Sequence, residues 1–136
     1  MKENWIIPCN VKAFDIIEHF KTSDTVCWRR GGKEVVGDDV YIYVGTPYQI
    51  VKFKCTVLDD CVSKEEMKNH DYATRGGYYG DRFMKLKKIY TFDKPIPLSE
   101  LQNRGVYRVR KQSRIDRKLL EYFTSIETAN VEEKHG

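Results

Sequence analysis

The chain has 136 residues, a length that fits one domain around one hydrophobic core. Its mean hydropathy is −0.61 and 32% of its residues are charged, but 9 Tyr, 6 Phe and 2 Trp argue against disorder. No apolar run approaches the roughly 20 residues of a membrane-spanning helix, and the start of the chain has no secretory-signal pattern. We therefore expect a cytoplasmic protein with no membrane partner.

The first third of the chain predicts strand, helix and strand in turn. Residues 4–8 form a short predicted strand that ends at a proline, and residues 26–28 form another, followed by turn residues 29–33. Between the strands, Asn10 is a suitable N-cap for a helix over residues 11–21, because its side chain can accept a hydrogen bond from the first turn.

Two further segments alternate between apolar and other side chains, which is typical of half-buried strands. Residues 40–44 place aliphatic side chains on one face and tyrosines on the other, and residues 50–58 repeat the alternation with lysines. Together they predict a mostly antiparallel sheet.

Residues 59–81 differ, with charged residues, a predicted short helix near residues 63–66 and three glycines around tyrosines. A long irregular loop of this kind is typically functional or disordered.

The last third predicts a strand over residues 83–92 that ends at residues 93–97, a short helix over residues 99–104 and an amphipathic helix over residues 116–126. The sum is a single α+β domain over residues 1–126. We expect a curled, mostly antiparallel β-barrel of about five or six strands with two or three helices, followed by a flexible tail or linker start over residues 127–136.

Charge is distributed unevenly along the chain. The whole chain has a formal charge of +4, but residues 82–118 contain 12 basic and 3 acidic side chains, a net charge of +9. Single lysines on a strand are ordinarily a solvated face, but a segment this basic favours a polyanion-binding surface.

The sequence does not favour catalysis. It has no nucleophile motif, phosphate-binding loop or metal-ligand spacing, and the carboxylate pairs at residues 38–39, 59–60 and 65–66 are expected to be solvated caps. The four cysteines, which form no Cys-x-x-Cys, are expected to be free buried thiols. We expect a binding domain with no enzyme activity, no metal and no cofactor.

Aromatic residues near strand ends and glycines favour base binding instead. A base extruded from a duplex is held by stacking on rings and read by a few polar groups. Such aromatic residues are Trp28, beside two arginines, and Tyr41, Tyr43, Tyr48, Tyr78 and Tyr79. The strand tyrosines Tyr41 and Tyr43 could equally belong to the core, whereas the glycine-rich surroundings of Tyr78 and Tyr79 favour a binding role.

In order along the chain, Trp5-Ile6-Ile7-Pro8-Cys9-Asn10, Trp28-Arg29, Gly37-Asp38-Asp39-Val40-Tyr41-Ile42-Tyr43-Val44 and Val109 to Arg114 resemble an EVE domain. EVE domains have a PUA-like fold and are related to the YTH readers of methylated adenine in RNA. The segments are most similar to EVE domains that lie N-terminal to HNH nucleases in modification-dependent restriction enzymes of prokaryotes.

The resemblance implies a pocket for a flipped base such as 5-hydroxymethylcytosine, 5-methylcytosine or N6-methyladenine in double-stranded DNA. Trp28 would be one stacking wall, Tyr78 or Tyr79 the other, and Asn10 with residues 112–114 would flank the pocket. The predicted pocket is therefore Asn10, Trp28, Tyr43, Tyr48, Tyr78, Tyr79, Gln112 and Ser113. The predicted DNA-backbone contacts are Arg29, Arg30, Arg75, Lys87, Arg110, Lys111, Arg114 and Arg117.

Two alternatives remain open from the sequence. One is an RNA-binding PUA-like module that reads a modified or unpaired base. The other is a sensor of a small molecule or nucleotide that uses the same pocket.

Overall fold

A computed structural model describes residues 2–63 and 82–135, with side chains through Ala129. Its elements are β1 (Asn4–Cys9), α1 (Ile16–Thr22), β2 (Thr25–Arg29), β3 (Asp39–Val44), β4 (Ile50–Val62), β5 (Phe83–Pro97), α2 (Leu98–Asn103), β6 (Ser113–Arg114) and α3 (Arg117–His135).

The strands form one curled sheet in the order β2-β5-β4-β3-β1-β6. The β1 and β3 strands are parallel, and the other four neighbouring pairs are antiparallel. Within the described residues, the sheet has two edge strands, β2 and β6, and is a half-barrel rather than a closed barrel. The predicted α+β class and mostly antiparallel sheet are confirmed.

Both faces of the sheet are covered, which makes β3 its most buried strand. All six β3 residues are buried, whereas β4 shows the predicted alternation along its first half. The aliphatic face of β3 packs in one core cluster with Trp5, Phe14 and Trp28. The tyrosine face packs in a second cluster, where the Tyr41 and Phe123 ring centroids are 4.7 Å apart. The prediction that β3 is half-buried is wrong, because α3 covers the tyrosines.

The α1 helix begins later than predicted. Its N-cap is Asp15, whose Oδ1 accepts a hydrogen bond from the Glu18 amide at 3.1 Å. Asn10 instead caps the preceding turn, with its Oδ1 accepting from the Lys12 amide at 3.1 Å. The predicted N-cap is therefore wrong, although the residue does satisfy backbone N–H groups.

Three element ends also differ from the predictions. The β4 strand continues to Val62, into the predicted loop, and β5 continues through Pro97. The β5 strand contains prolines near its end. On the side of β5 that faces β2, only residues 83–87 have a described partner strand, so a missing proline N–H there breaks no described strand pairing. The α3 helix extends to His135, past the predicted end at Ile126. The rest of the predicted loop and the predicted helix near residues 63–66 lie outside the described residues, Ser63 excepted.

A buried carboxylate joins the start of β1 to the loop before β3. Asp38 is 1% exposed and accepts hydrogen bonds from the Glu3 amide at 3.0 Å, the Trp5 indole at 3.0 Å and the Val35 amide at 3.1 Å. Its neighbour Asp39 is 5% exposed and pairs with Lys2 at 2.8 Å. The expectation that this pair is a solvated cap is wrong, because Glu3 and Trp5, both distant in sequence, converge with the nearby Val35 amide on a buried Asp38.

We predict that Asp38→Asn destabilises the fold by about 2–3 kcal/mol, because its amide group would face buried donors. Burial disfavours the Asp38 anion, but the hydrogen bonds outweigh burial and lower the pKa below its ordinary 3.8. The Asp38 carboxylate therefore contributes fully to the free energy of unfolding above pH 3.8, and this contribution is lost as the pH falls through the lowered pKa. Chemical unfolding at several pH values should show the wild-type advantage over Asp38→Asn shrinking below about pH 4. Asp24→Asn, at an exposed position, is the control; a constant gap between wild type and Asp38→Asn would contradict the assignment.

Candidate nucleic-acid interface

A basic segment connects α2 to α3 and runs along β1. We call residues 106–116 the basic crossing. Gly105, at a φ of +90°, turns the chain into it, and the Val106 amide donates to the Leu101 carbonyl at 2.9 Å. Within the crossing, β6 pairs with β1 at Ile6↔Ser113. Its position is therefore fixed at one end by α2 and at the other by the sheet.

Three cations of the basic crossing have no nearby counter-ion in the part of the chain that the structure describes. Arg108, Arg110 and Lys111 are exposed, and no carboxylate of the described residues lies within 4.0 Å of them. Arg114, by contrast, lies 4.0 Å from Glu3 and 5.2 Å from the Trp5 ring, and Arg117 pairs with Glu121 at 3.2 Å. The three unpaired cations are the ones best placed to attract an anion.

The basic crossing lines a cleft of about 680 Å³, which we call the larger cleft. Its lining combines apolar side chains, an exposed tyrosine and cations: Ile6, Val106, Tyr107, Arg108, Val109, Arg110, Lys111, Ser113, Arg114, Ile115, Asp116 and Leu119. The one acidic member, Asp116, accepts a hydrogen bond from the Leu119 amide at 2.8 Å, at the start of α3.

A second cleft, of about 390 Å³, shares Val109 with the first and is called the smaller cleft. It is lined by Pro8, Cys9, Asn10, Lys12, Tyr43, Gly45, Thr46 and Val109. Asn10 uses its Oδ1 in the turn, and its Nδ2 has no partner among the described residues. The structure thus brings two predicted pocket residues, Asn10 and Tyr43, to one cleft and Ser113 to the adjoining one.

Gln112 has a different role from the predicted one. Its Oε1 accepts from the Gly31 amide at 2.7 Å, and its Nε2 donates to the Arg29 carbonyl at 2.7 Å. A Cβ on Gly31 would lie 3.1 Å from Gln112 Cδ, so the approach requires glycine or a shift of the amide. Gln112 therefore ties the basic crossing to the loop after β2, and both ends of its amide are already engaged.

Trp28 and Tyr48, both predicted to stack on a base, lie elsewhere. Trp28 is 2% exposed and its ring lies at a steep angle to that of Phe14, with the ring centroids 6.0 Å apart, within the first core cluster. Tyr48 is 47% exposed in the turn before β4, but it lines neither cleft. This structure leaves the Trp28 ring almost no free surface on which a base could stack. Stacking by Trp28 stays a prediction.

The +9 segment does not form a single surface. Lys87 lies on β5 opposite Thr25 and Thr56, and β4, β3 and β1 separate β5 from β6 in the sheet. Arg29 and Arg30 lie at the end of β2, where the Arg30 side chain donates to the Glu34 carbonyl. Lys87 and the basic crossing are therefore apart in the sheet order, whereas Arg29 and Arg30 lie beside the loop that Gln112 ties to the basic crossing. Arg75, Tyr78 and Tyr79 lie outside the described residues.

The sequence interpretation missed Tyr107, which is 70% exposed and lines the larger cleft. Its signal was present, because an aromatic residue inside a basic run is a common feature of nucleic-acid interfaces.

Cysteine chemistry is not a feature of either cleft. Cys9, Cys27 and Cys55 are free and buried, as predicted, whereas Cys61 is exposed, which corrects the prediction for that residue. Burial raises the pKa of Cys9, which lines the smaller cleft, to about 12, so its thiol is not a nucleophile at neutral pH. Within the described residues, no group of three His, Cys, Asp or Glu side chains is arranged to hold a metal. None of the described helices has the length and apolar character needed to cross a membrane.

No protein-family model and no curated protein matches the chain by sequence. Solved structures match its fold. Rpa0253 from Rhodopseudomonas palustris has a TM-score of 0.66 at 6% identity, over 91% of this chain and 92% of that one. ASCH from Zymomonas mobilis has a TM-score of 0.64 at 11% identity, over 90% and 94% of the two chains. Human THYN1, in complex with 5-methylcytosine containing DNA, has a TM-score of 0.67 at 11% identity, over 93% and 98%.

These similarities show the fold of the chain, which is an α+β fold of the PUA-like type. The fold predicted from the EVE resemblance is confirmed. At these identities, the role of each cleft has to be argued from this chain's own residues.

We predict that Gln112→Ala loosens the basic crossing without unfolding the domain. Loss of the Gln112 acceptor should speed hydrogen exchange at the Gly31 amide about fivefold, since one lost hydrogen bond is worth about 1 kcal/mol. The Gly37 amide, which donates to the Val57 carbonyl at 2.9 Å, is the internal control in the same NMR experiment. Unchanged exchange at Gly31 would show that Gln112 does not hold the segment.

Proposed function

We propose that this domain is a non-catalytic reader of nucleic acid that holds one modified base of DNA in the smaller cleft. The observation that carries the proposal is the position of three unpaired cations, Arg108, Arg110 and Lys111, beside two clefts that share Val109. Cations fix the backbone of a nucleic acid, and a neighbouring pocket reads a base.

Phosphate binding is assigned to the basic crossing. Its cations are exposed, and the segment is held by β6 and by the Gln112 hydrogen bonds. A held segment loses less conformational freedom when it binds than a mobile loop does, so its charges act at lower entropic cost.

Base recognition is assigned to Asn10 and Tyr43. The Asn10 Nδ2 group is free to donate to an acceptor on the edge of a base. Tyr43 is 6% exposed and lines this cleft, and its hydroxyl, which is protonated at neutral pH in any case and whose pKa burial raises further, is able to donate. A cleft of about 390 Å³ falls in the roughly 300–1,000 Å³ range of small-ligand pockets.

The modification we propose is on cytosine or adenine: 5-methylcytosine, 5-hydroxymethylcytosine or N6-methyladenine. The THYN1 structure supports DNA as the partner, since a protein of this fold is there in complex with 5-methylcytosine containing DNA. We further propose that the domain is the specificity module of a prokaryotic, cytoplasmic restriction system, with an HNH nuclease fused after it or on another chain. The resemblance of its motifs to EVE domains supports this role.

We expect Arg110→Ala to weaken binding to modified and plain DNA equally and to reduce the slope of log K against log salt by about one unit. Lys87→Ala is the matched control, because Lys87 is exposed on β5, far along the sheet order from β6. Fluorescence anisotropy at several salt concentrations measures both slopes. A larger slope change for Lys87→Ala than for Arg110→Ala would place the phosphate-binding surface at β5 instead.

We expect Asn10→Asp to abolish the preference for a modified base. The substitution keeps the oxygen that caps the turn but replaces the free donor with an acceptor. Asn103→Asp, exposed on α2, introduces the same charge and serves as the control. Competition among DNA duplexes and RNA strands that differ in one modified base measures the preference. A preference retained by Asn10→Asp would exclude this cleft as the base pocket, and tighter binding to RNA would change the proposed partner.

A further inference from the structure

The larger cleft is lined by groups that suit a nucleotide rather than phosphate alone. Ile6 and Leu119, which line it, are buried apolar residues, while Tyr107 presents an exposed ring and Arg108 and Arg110 carry unpaired charges. Phosphate binding by itself requires no apolar cleft, and an apolar ligand requires no unpaired cations. A nucleotide combines a flat base with an anionic backbone and uses both.

Tyr107 is held in place before any ligand binds. The Gln102 side-chain amide donates to the Tyr107 carbonyl at 3.2 Å, and the preceding residue, Val106, donates to the Leu101 carbonyl at 2.9 Å. The backbone at the ring is thus anchored to α2, while the ring itself is 70% exposed. An exposed aromatic ring on an anchored backbone is a suitable stacking platform.

The two clefts adjoin each other at Val109. A nucleic-acid strand with one base in the smaller cleft has the larger cleft within reach of its next nucleotide, on one side of that base. The larger cleft has about 680 Å³, which is more space than the smaller cleft offers to its base.

We infer that the larger cleft binds the nucleotide next to the modified one, with its base stacked on Tyr107 and its phosphate near Arg108 and Arg110. The inference rests on the proposed function and extends it from one base to two consecutive bases of one strand. Removing two consecutive bases from a duplex costs more pairing and stacking energy than flipping one base does. Single-stranded DNA should therefore bind more tightly than matched duplex.

The test is a double-mutant cycle between Tyr107 and the neighbouring base. The probes are short single-stranded DNAs with one 5-methylcytosine, either intact or with an abasic site on its 5′ or its 3′ side. Tyr107→Ala should weaken binding of the intact DNA about tenfold, and Tyr107→Phe less than about twofold. On the abasic DNA that lacks the base next to Tyr107, the dissociation constants of wild type and Tyr107→Ala should agree within about twofold, because the stacking partner is missing. Ile89→Ala, at an exposed apolar position on β5, should bind like wild type.

The outcomes separate this inference from the proposed function. An equal loss for Tyr107→Ala on intact and both abasic DNAs, or no loss on intact DNA, overturns the stacking inference. If wild type still prefers modified over plain DNA in that case, the proposed function stands. A wild-type protein that binds DNA with each of the three proposed modifications no better than plain DNA overturns the proposed function, whatever the cycle shows.

Discussion

The candidate interface depends on a buried carboxylate that fixes one strand. Asp38 accepts three hydrogen bonds from Glu3, Trp5 and Val35, and so holds the start of β1 beside the loop that leads to β3. The β1 strand pairs with β3 on one side and with β6 on the other. Since β6 belongs to the basic crossing, the position of the unpaired cations follows from that of β1. The end of the same strand supplies Pro8 and Cys9 to the smaller cleft.

The basic residues of this chain indicate a binding surface only when they are grouped by their positions in the fold. The net charge of +9 in residues 82–118 is divided mainly among β5, the basic crossing and the ends of the helices that flank the basic crossing, and several of its members have structural partners. Lys88, for example, donates to the Phe20 carbonyl at 3.3 Å and lies over the Phe20 ring. Arg104 pairs with Glu100 at 2.7 Å and stacks on Tyr122. Lys87 stays exposed on β5, whereas Arg108, Arg110 and Lys111 are exposed together on the basic crossing, where they line the larger cleft beside apolar side chains.

The sequence predicts what depends on local pattern. Alternation located β3, β4 and most of β5, and helical spacing located α3, because each signal lies within a few neighbouring residues. It could not predict the burial of Tyr41, which depends on Phe123, or of Asp38, whose donor Trp5 is 33 positions away. For the candidate site, the predicted residues that line the two clefts are Asn10, Tyr43, Arg110, Lys111, Ser113 and Arg114, and their roles stay predictions. The sequence did not reveal that Gln112 is engaged by residues 29–31 or that Trp28 is enclosed by the core, since both result from long-range packing.

The central claim is that nucleic acid binds along the basic crossing, with a base in the smaller cleft. NMR titration of the labelled domain with DNA containing one 5-methylcytosine tests it most directly, because every described amide reports its own environment. The account predicts the largest shift changes at residues 106–116 and at Asn10 and Gly45, with smaller changes at the same amides for plain DNA. Shift changes concentrated in β2 and the facing residues 83–87 of β5, with the basic crossing unaffected, would contradict it.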